Sequence, residues 1–180
     1  MSDKRALRAR MRAIRDGFAG PPLALPRAFR DRLRPGLVVA SYAPTGGEID
    51  PAALAAAAVA AGCRIALPHV IDRATPLRFL AAGAVLHPGP LGLRQPHAEA
   101  AVLAPDIVLT PLVAFDRAGN RLGQGAGHYD RAFVDHPHAW RVGVAWSVQE
   151  VDALPAEAWD VPLHAIVTET EWIEPVAPKS

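Results

Sequence analysis

Leu7, Met11 and Ile14 recur at spacings of four and three, the repeat of one helical face, within an otherwise polar run from residue 3 to 16. Lys4, Arg5, Arg8, Arg12 and Arg15 cover the other faces of that helix. Lys4 and Arg8, four apart, project from one side of it. Gly17 and Gly20-Pro21-Pro22 end the helix, and a second is expected from about Leu23 to Leu33. Then the period changes. Leu37-Val38-Val39-Ala40-Ser41-Tyr42 is a short, nearly all-apolar strand, and Pro44-Thr45-Gly46-Gly47 turns the chain. Asp50 can cap a helix with Pro51 at its first position, where a missing N–H does no harm, and Gly62 stops that helix after Ala61.

Arg64 to Leu67 reads as a strand closed by Pro68, Leu77 to Leu80 as a weaker one, and residues 83 to 100 as a loop. Asp106 to Pro111 is a strand buried on both faces by its pattern, which Leu112 to Phe115 can extend past the proline. A helix is expected from about Tyr129 to Val134, and strands at Arg141 to Trp146 and His164 to Thr168. Strands that alternate with helices, and that are apolar without alternation, belong to a mostly parallel sheet covered on both faces. The expected fold is therefore a three-layer α/β/α domain spanning residues 1–180, with a basic helical region over 1–34 and a frayed tail over 174–180.

Composition narrows the setting. The chain has 180 residues and a single cysteine, so no internal disulfide is possible and a reducing cytoplasm fits. Cys63, at the start of an apparent strand, reads as a small buried thiol. No apolar run approaches the ~20 residues of a membrane span, and no membrane partner is expected. The net charge of +1 is unevenly placed: residues 1–34 hold ten Lys/Arg against three acids. A solvated helix face, a nucleic acid and a small bound polyphosphate all remain open as reasons.

The densest signal is Gly119-Asn120-Arg121-Leu122-Gly123-Gln124-Gly125-Ala126-Gly127-His128-Tyr129-Asp130-Arg131, between a strand and a helix, where open α/β sheets bind ligands. Gly123, Gly125 and Gly127 can take positive φ and leave no side chain in the way, so that backbone N–H groups and the next helix N-terminus face one anion. Arg121 can put a charged fork on an outer phosphate, and Asp130 could hold Mg²⁺. The stretch lacks the Gly-Lys-Ser/Thr ending of a P-loop and the third glycine of the dinucleotide fingerprint. The alternative is a turn that only lets strand and helix pack closely.

With Pro111-Leu112-Val113-Ala114-Phe115-Asp116 before it, this stretch resembles the 5-formyltetrahydrofolate cyclo-ligase (methenyltetrahydrofolate synthetase) family, which reads P-x-x-x-F-D and then G-x-R-L-G-x-G-x-G-Y-Y-D-R. Lys4-x-x-Leu7-Arg8, Glu48-Ile49-Asp50, and Leu154-Pro155 through Asp160 to Val167-Thr168-Glu169 match in the same order. The resemblance implies a NagB/RpiA/CoA transferase-like fold. It also implies an ATP-dependent cyclisation of 5-formyltetrahydrofolate to 5,10-methenyltetrahydrofolate, with release of ADP and phosphate. ATP phosphorylates the formyl oxygen, N10 attacks the activated carbon, and phosphate leaves. Such a reaction asks for positioning and charge neutralisation.

Residue by residue, the resemblance implies that Lys4 and Arg8 reach the nucleotide, and that Arg121, Leu122, Gly123, Gln124, Gly125, Ala126, Gly127, His128 and Tyr129 wrap its phosphates. Arg121 and Tyr129 would act in catalysis. Asp130 and Asp160 would bind Mg²⁺, while Glu48 grips the pterin ring and Ala43 lines that pocket. The partners are thus ATP and 5-formyltetrahydrofolate, with neither nucleic acid nor membrane. His128 stands where the family has tyrosine, and could take up a proton near neutral pH. Ala126 stands where relatives carry glycine or lysine, and His164 where they often carry aspartate. Two other readings are weighed: another phosphate-binding enzyme, such as a sugar-phosphate isomerase or coenzyme A transferase, and a non-catalytic relative binding nucleic acid through residues 1–34. His136 and His138 read as a surface loop. His69, His87 and His97 share no ligand spacing. Trp140, Trp146, Trp159 and Trp172 read as core or rim aromatics.

Overall fold

The computed structural model describes residues 2–155 and 157–175; the end of the expected tail, 176–180, lies outside them. In chain order the elements are α1 (Ser2–Asp16), α2 (Arg27–Arg30), β1 (Val38–Ala40), α3 (Ala52–Ala60), β2 (Arg64–His69), β3 (Arg78–Ala81), β4 (His87–Pro88) and β5 (Arg94–Gln95). β6 (Ile107–Pro111), β7 (Ala114–Phe115), β8 (Arg121–Leu122), α4 (His128–Asp135), β9 (Trp140–Val144), β10 (Ala165–Val167) and β11 (Trp172–Ile173) follow. The main sheet runs β11-β10-β9-β6-β1-β2-β3. Its five central strands are parallel, and β3 and β11 pair antiparallel at the two edges.

Alternate residues of the parallel strands feed two cores. Val39, Ile107, Leu109, Val142, Val144 and Val167 face α2 and α3 through Phe29, Leu54 and Ala58. Val38, Ala40, Val108 and Ile166 face the other way, toward Ala132 and Phe133 of α4. Burial on both faces is why these strands read as unbroken apolar runs. A third, smaller cluster pins α1 through Met11 to Val113, Ala114, Leu122 and Leu154. Ile14, at the far end of the expected stripe, is exposed instead.

Several boundaries differ from expectation. The second helix shrinks to Arg27–Arg30, because Pro26 sits extended at its N-cap (φ −69°, ψ 140°) and bars Leu25 from helical backbone. β2 continues through Pro68 to His69. Its ladder with β1 ends at Ala66, so the missing N–H of Pro68 falls beyond it. β6 stops at Pro111; Ala114–Phe115 turns off to pair with Arg121–Leu122 as a separate ribbon. α3 begins one residue after Pro51, with the Ala52 N–H donated to Asp50 Oδ1 at 2.9 Å. Within the expected loop 83–100, β4 and β5 form a two-residue hairpin.

The strand order fixes where a ligand can enter. From β1 the sheet grows one way to β2 and the other way to β6, so the carboxyl ends of β1 and β6 diverge into a crevice. Tyr42 and Ala43 follow β1 there, and Pro111 ends β6.

Candidate active site

A cavity of about 580 Å³ fills that crevice. All of the residues given a binding or catalytic role from the sequence line it: Lys4 and Arg8, Ala43 and Glu48, the run Arg121 to Tyr129, and both Asp130 and Asp160. Pro68, Val70, Leu77, Leu93 and Pro111 give it an apolar stretch of wall, and Arg12, Arg73, Arg94 and Glu157 add charge around it. A chamber with an apolar wall and converging charged groups suits an organic ring with charged extensions.

The loop from Gly123 to Gly127 joins β8 to α4. Gly125 (φ +103°) and Gly127 (φ +66°) hold the positive φ expected of them, and Gly123 does not. Gly127 is the N-cap of α4, and no side chain caps that helix. Its first N–H groups are therefore left for an anion. α1 grips the loop from outside. Arg8 Nε donates to the Gly123 carbonyl at 2.9 Å, and Arg12 donates to Gln124 Oε1 at 2.9 Å and to the Gln124 carbonyl at 3.3 Å. Lys4 lies 3.3 Å from Glu157 and 3.5 Å from Asp160. The first-helix cations thus face inward.

Arg121 occupies the floor. Its side chain is 5% exposed, stands over the Phe133 ring at 4.6 Å, and donates to Asp130 Oδ1 and the Val161 carbonyl. Burial pulls its pKa down, and Asp130 and then Asp160 pull it back up. Beside it, burial and the nearby Glu48 push the Tyr129 phenol far above its usual range, so it is a neutral donor at physiological pH. Tyr42 is raised by the same two causes, and its hydroxyl donates to the Ile49 carbonyl at 2.7 Å. Glu48 is 8% exposed, and its Oε2 accepts from the Thr45 N–H at 3.0 Å and the Thr45 hydroxyl at 3.2 Å.

His128 lines the cavity beside Arg131. Burial and the Arg131 guanidinium, 3.1 Å from Nδ1, lower its pKa from the ordinary histidine value. His164 does not line the cavity. It lies just before β10, at the amino end of that strand, where Nδ1 accepts the Arg141 N–H. Cys63 is the buried thiol expected, donating to the Arg34 carbonyl. His136 stacks against Phe79.

Among the described residues no three His, Cys, Asp or Glu side chains gather as a metal cluster. Mg²⁺ does not require one: it binds through one or two carboxylates and takes its other ligands from water and phosphate. Asp130 and Asp160 both reach the cavity and both act on the charge of Arg121. The donor set fits a cation that arrives with phosphates.

Sequence reasoning missed Arg12, which lines the cavity, Arg15, which backs Glu48, and Trp159, 67% exposed at the rim. The signal for the arginines was present. Positions 4, 8, 12 and 15 lie four, four and three apart, on one helix face.

An uncapped glycine turn opposite a buried carboxylate, in the crevice of an open sheet, is the architecture of a two-substrate α/β enzyme that handles phosphates. The comparisons specify which: over residues 1–169 the chain matches the 5-formyltetrahydrofolate cyclo-ligase family, and it belongs to that family. It is 36% identical over 153 residues to the 5-formyltetrahydrofolate cyclo-ligase of Escherichia coli, covering 74% of this chain and 80% of that one. The solved 5,10-methenyltetrahydrofolate synthetase of Aquifex aeolicus superposes with a TM-score of 0.74 at 28% identity, covering 98% and 95% of the two chains. That of Mycoplasma pneumoniae superposes with a TM-score of 0.66 at 25% identity, covering 93% and 99%.

Proposed function

We propose that this protein closes the ring of 5-formyltetrahydrofolate to give 5,10-methenyltetrahydrofolate, using ATP as co-substrate. The observation that carries the reading is that the glycine turn and Glu48 open onto one cavity, so a nucleotide phosphate and a folate ring can meet there. The four inward cations of α1 give part of the basic N-terminus a use inside the molecule.

In this reading the backbone N–H groups of Gly123 to Tyr129 receive the triphosphate. Lys4 and Arg8 neutralise it from α1. Asp130 and Asp160 hold Mg²⁺, which would lessen the charge on the phosphates. Glu48 accepts N–H donors of the pterin, with Ala43 against the ring, while the apolar wall covers the ring's faces and excludes water.

The formyl oxygen attacks the γ-phosphorus as ADP leaves. N10 then attacks the formyl carbon, its proton is lost, and the carbon–oxygen bond breaks to release inorganic phosphate. Arg121, fixed by Asp130 and the Val161 carbonyl, supplies a buried positive field beneath the transferring group. Tyr129 offers a neutral hydroxyl to a phosphoryl or formyl oxygen. Neither step requires a nucleophile from the protein.

Mixing the purified protein with 5-formyltetrahydrofolate, ATP and Mg²⁺ tests this directly. The near-ultraviolet absorbance of the methenyl product should rise only when all three are present. An unchanged spectrum with a folded protein overturns the proposal.

A further inference from the structure

Of the four cations on the inner face of α1, three reach the glycine loop or the Asp160 segment, and the fourth does something else. Arg15 is 5% exposed. Its Nε and Nη2 each hold Asp16 Oδ1 at 2.9 Å, and its Nη1 points at Glu48 Oε1 from 3.7 Å with no hydrogen-bond partner of its own. At that distance the contact is charge against charge and not a hydrogen bond. The two oxygens of Glu48 therefore differ. Oε2 is taken by Thr45, whereas Oε1 has a cation beside it and is free to accept an N–H from a ligand.

The approach of these groups is built in. A Cβ on Gly47 would lie 2.6 Å from Asp16 Oδ1 and 2.8 Å from Asp16 Cα, so glycine alone lets this loop rest on the end of α1. Trp146 Nε1 donates to the Gly47 carbonyl at 2.9 Å and holds the loop there. The charged and titratable groups beside Glu48 are Tyr42 from its own segment, Tyr129 from α4, and Arg15 with Asp16 behind it from α1. Arg15 is the cation among them. A carboxylate this buried is poorly tolerated without such a neighbour.

We propose that Arg15 is a positioning residue for Glu48: it balances the buried carboxylate and aims its Oε1 at the N–H edge of the ring bound in the cavity. The inference rests on reading the cavity as the folate site. It adds a consequence for α1, which meets the nucleotide side at Lys4 and Arg8 and the ring side at Arg15. Seven residues of helix, about 10 Å, separate Arg8 from Arg15, so the two sides can be perturbed independently.

The test is a double-mutant cycle on turnover. Arg15→Met should raise the KM for 5-formyltetrahydrofolate by about tenfold or more and leave the KM for ATP unchanged. Because Arg15 acts through Glu48, Arg15→Met combined with Glu48→Gln should be no worse than Glu48→Gln alone. Losses that multiply in the double variant, or equal rises in both KM values, overturn the proposal while wild-type turnover leaves the assigned activity standing. Should Arg15→Met fail to fold, Arg15→Lys decides. It keeps the charge but not the fork, so a smaller rise confined to the folate KM is expected. A wild-type folate KM, or an equal change for ATP, rejects the role. Absence of turnover in the wild type rejects the functional reading itself.

Discussion

Arg8 Nε donates to the carbonyl of Gly123 at 2.9 Å, across 115 positions of sequence, and so ties the first helix to the first residue of the glycine turn. The bond satisfies that carbonyl and fixes where the turn begins. A hydrogen bond with one charged partner contributes about 1.5–3 kcal/mol. Arg8→Met is expected to raise the KM for ATP by about tenfold to a hundredfold and to leave the folate KM within error. Steady-state titration of each substrate at saturating levels of the other measures both.

The same turn depends on Gly125, whose φ of +103° lies in a region that L side chains rarely adopt. A Cβ there would also meet the Arg8 guanidinium at 3.6 Å. Gly125→Ala should cost about 1–2 kcal/mol in stability and weaken ATP binding as the N–H groups rotate away. Urea unfolding with and without ATP separates the two effects: the variant should lose part of the stabilisation that the nucleotide gives the wild type. An undiminished ATP-induced shift would show that the turn does not hold the phosphates.

Much of this was open to reading in the chain. Strands such as Ile107–Pro111 announce themselves because burial on both faces leaves no polar position to interrupt them. The two-residue edge strand Trp172–Ile173 carries no such pattern. The second helix was expected to begin too early because Leu23 to Leu25 precede Pro26, which restricts the backbone of the residue before it. In the site, the glycine turn is visible in sequence because it needs a residue type that nothing else supplies. Arg15 was hidden: a basic helix face toward solvent and one toward a cavity have the same spacing, and the loop that turns the second into a site lies farther along the chain, at Gly47 and Glu48.

The carboxylates of the cavity should separate cleanly by substrate. Asp130→Asn keeps an acceptor for the Arg121 guanidinium, 5% exposed, but removes the negative charge paired with it, and Asp130 itself is partly open to solvent. A loss of about 2–3 kcal/mol in stability is expected, below that of a fully buried pair. Turnover should fall with a steeper requirement for Mg²⁺. Asp160→Asn breaks a partly exposed pair with Lys4 and removes the weaker of the two carboxylate charges acting on Arg121, and should change stability by less than about 1 kcal/mol. Glu48→Gln should chiefly raise the folate KM. Urea midpoints and Mg²⁺ titrations of the three variants decide, and a common loss of ATP affinity across all of them would contradict the division.

Stability should fall on mild acidification, for a reason that lies outside the catalytic residues. His69, at the end of β2, is 7% exposed and its Nδ1 has no hydrogen-bond partner. Burial, then the charge of Arg78, then His97, hold its pKa below the ordinary histidine value near 6.5. The unfolded chain therefore takes up this proton at a higher pH than the folded one. Between the folded pKa and about 6.5, stability rises with pH. It is complete above that window and is lost as pH falls through the folded value. His128, by burial and Arg131, and His164, by burial and by Arg141 and Arg32, are shifted the same way; both are more exposed than His69, so their shares should be smaller. Urea midpoints measured from pH 7.5 down to 5.5 should decline for the wild type. His69→Leu should flatten most of that decline while leaving the neutral-pH midpoint close to wild type. An equal slope in the variant would mean that the proton responsible binds elsewhere.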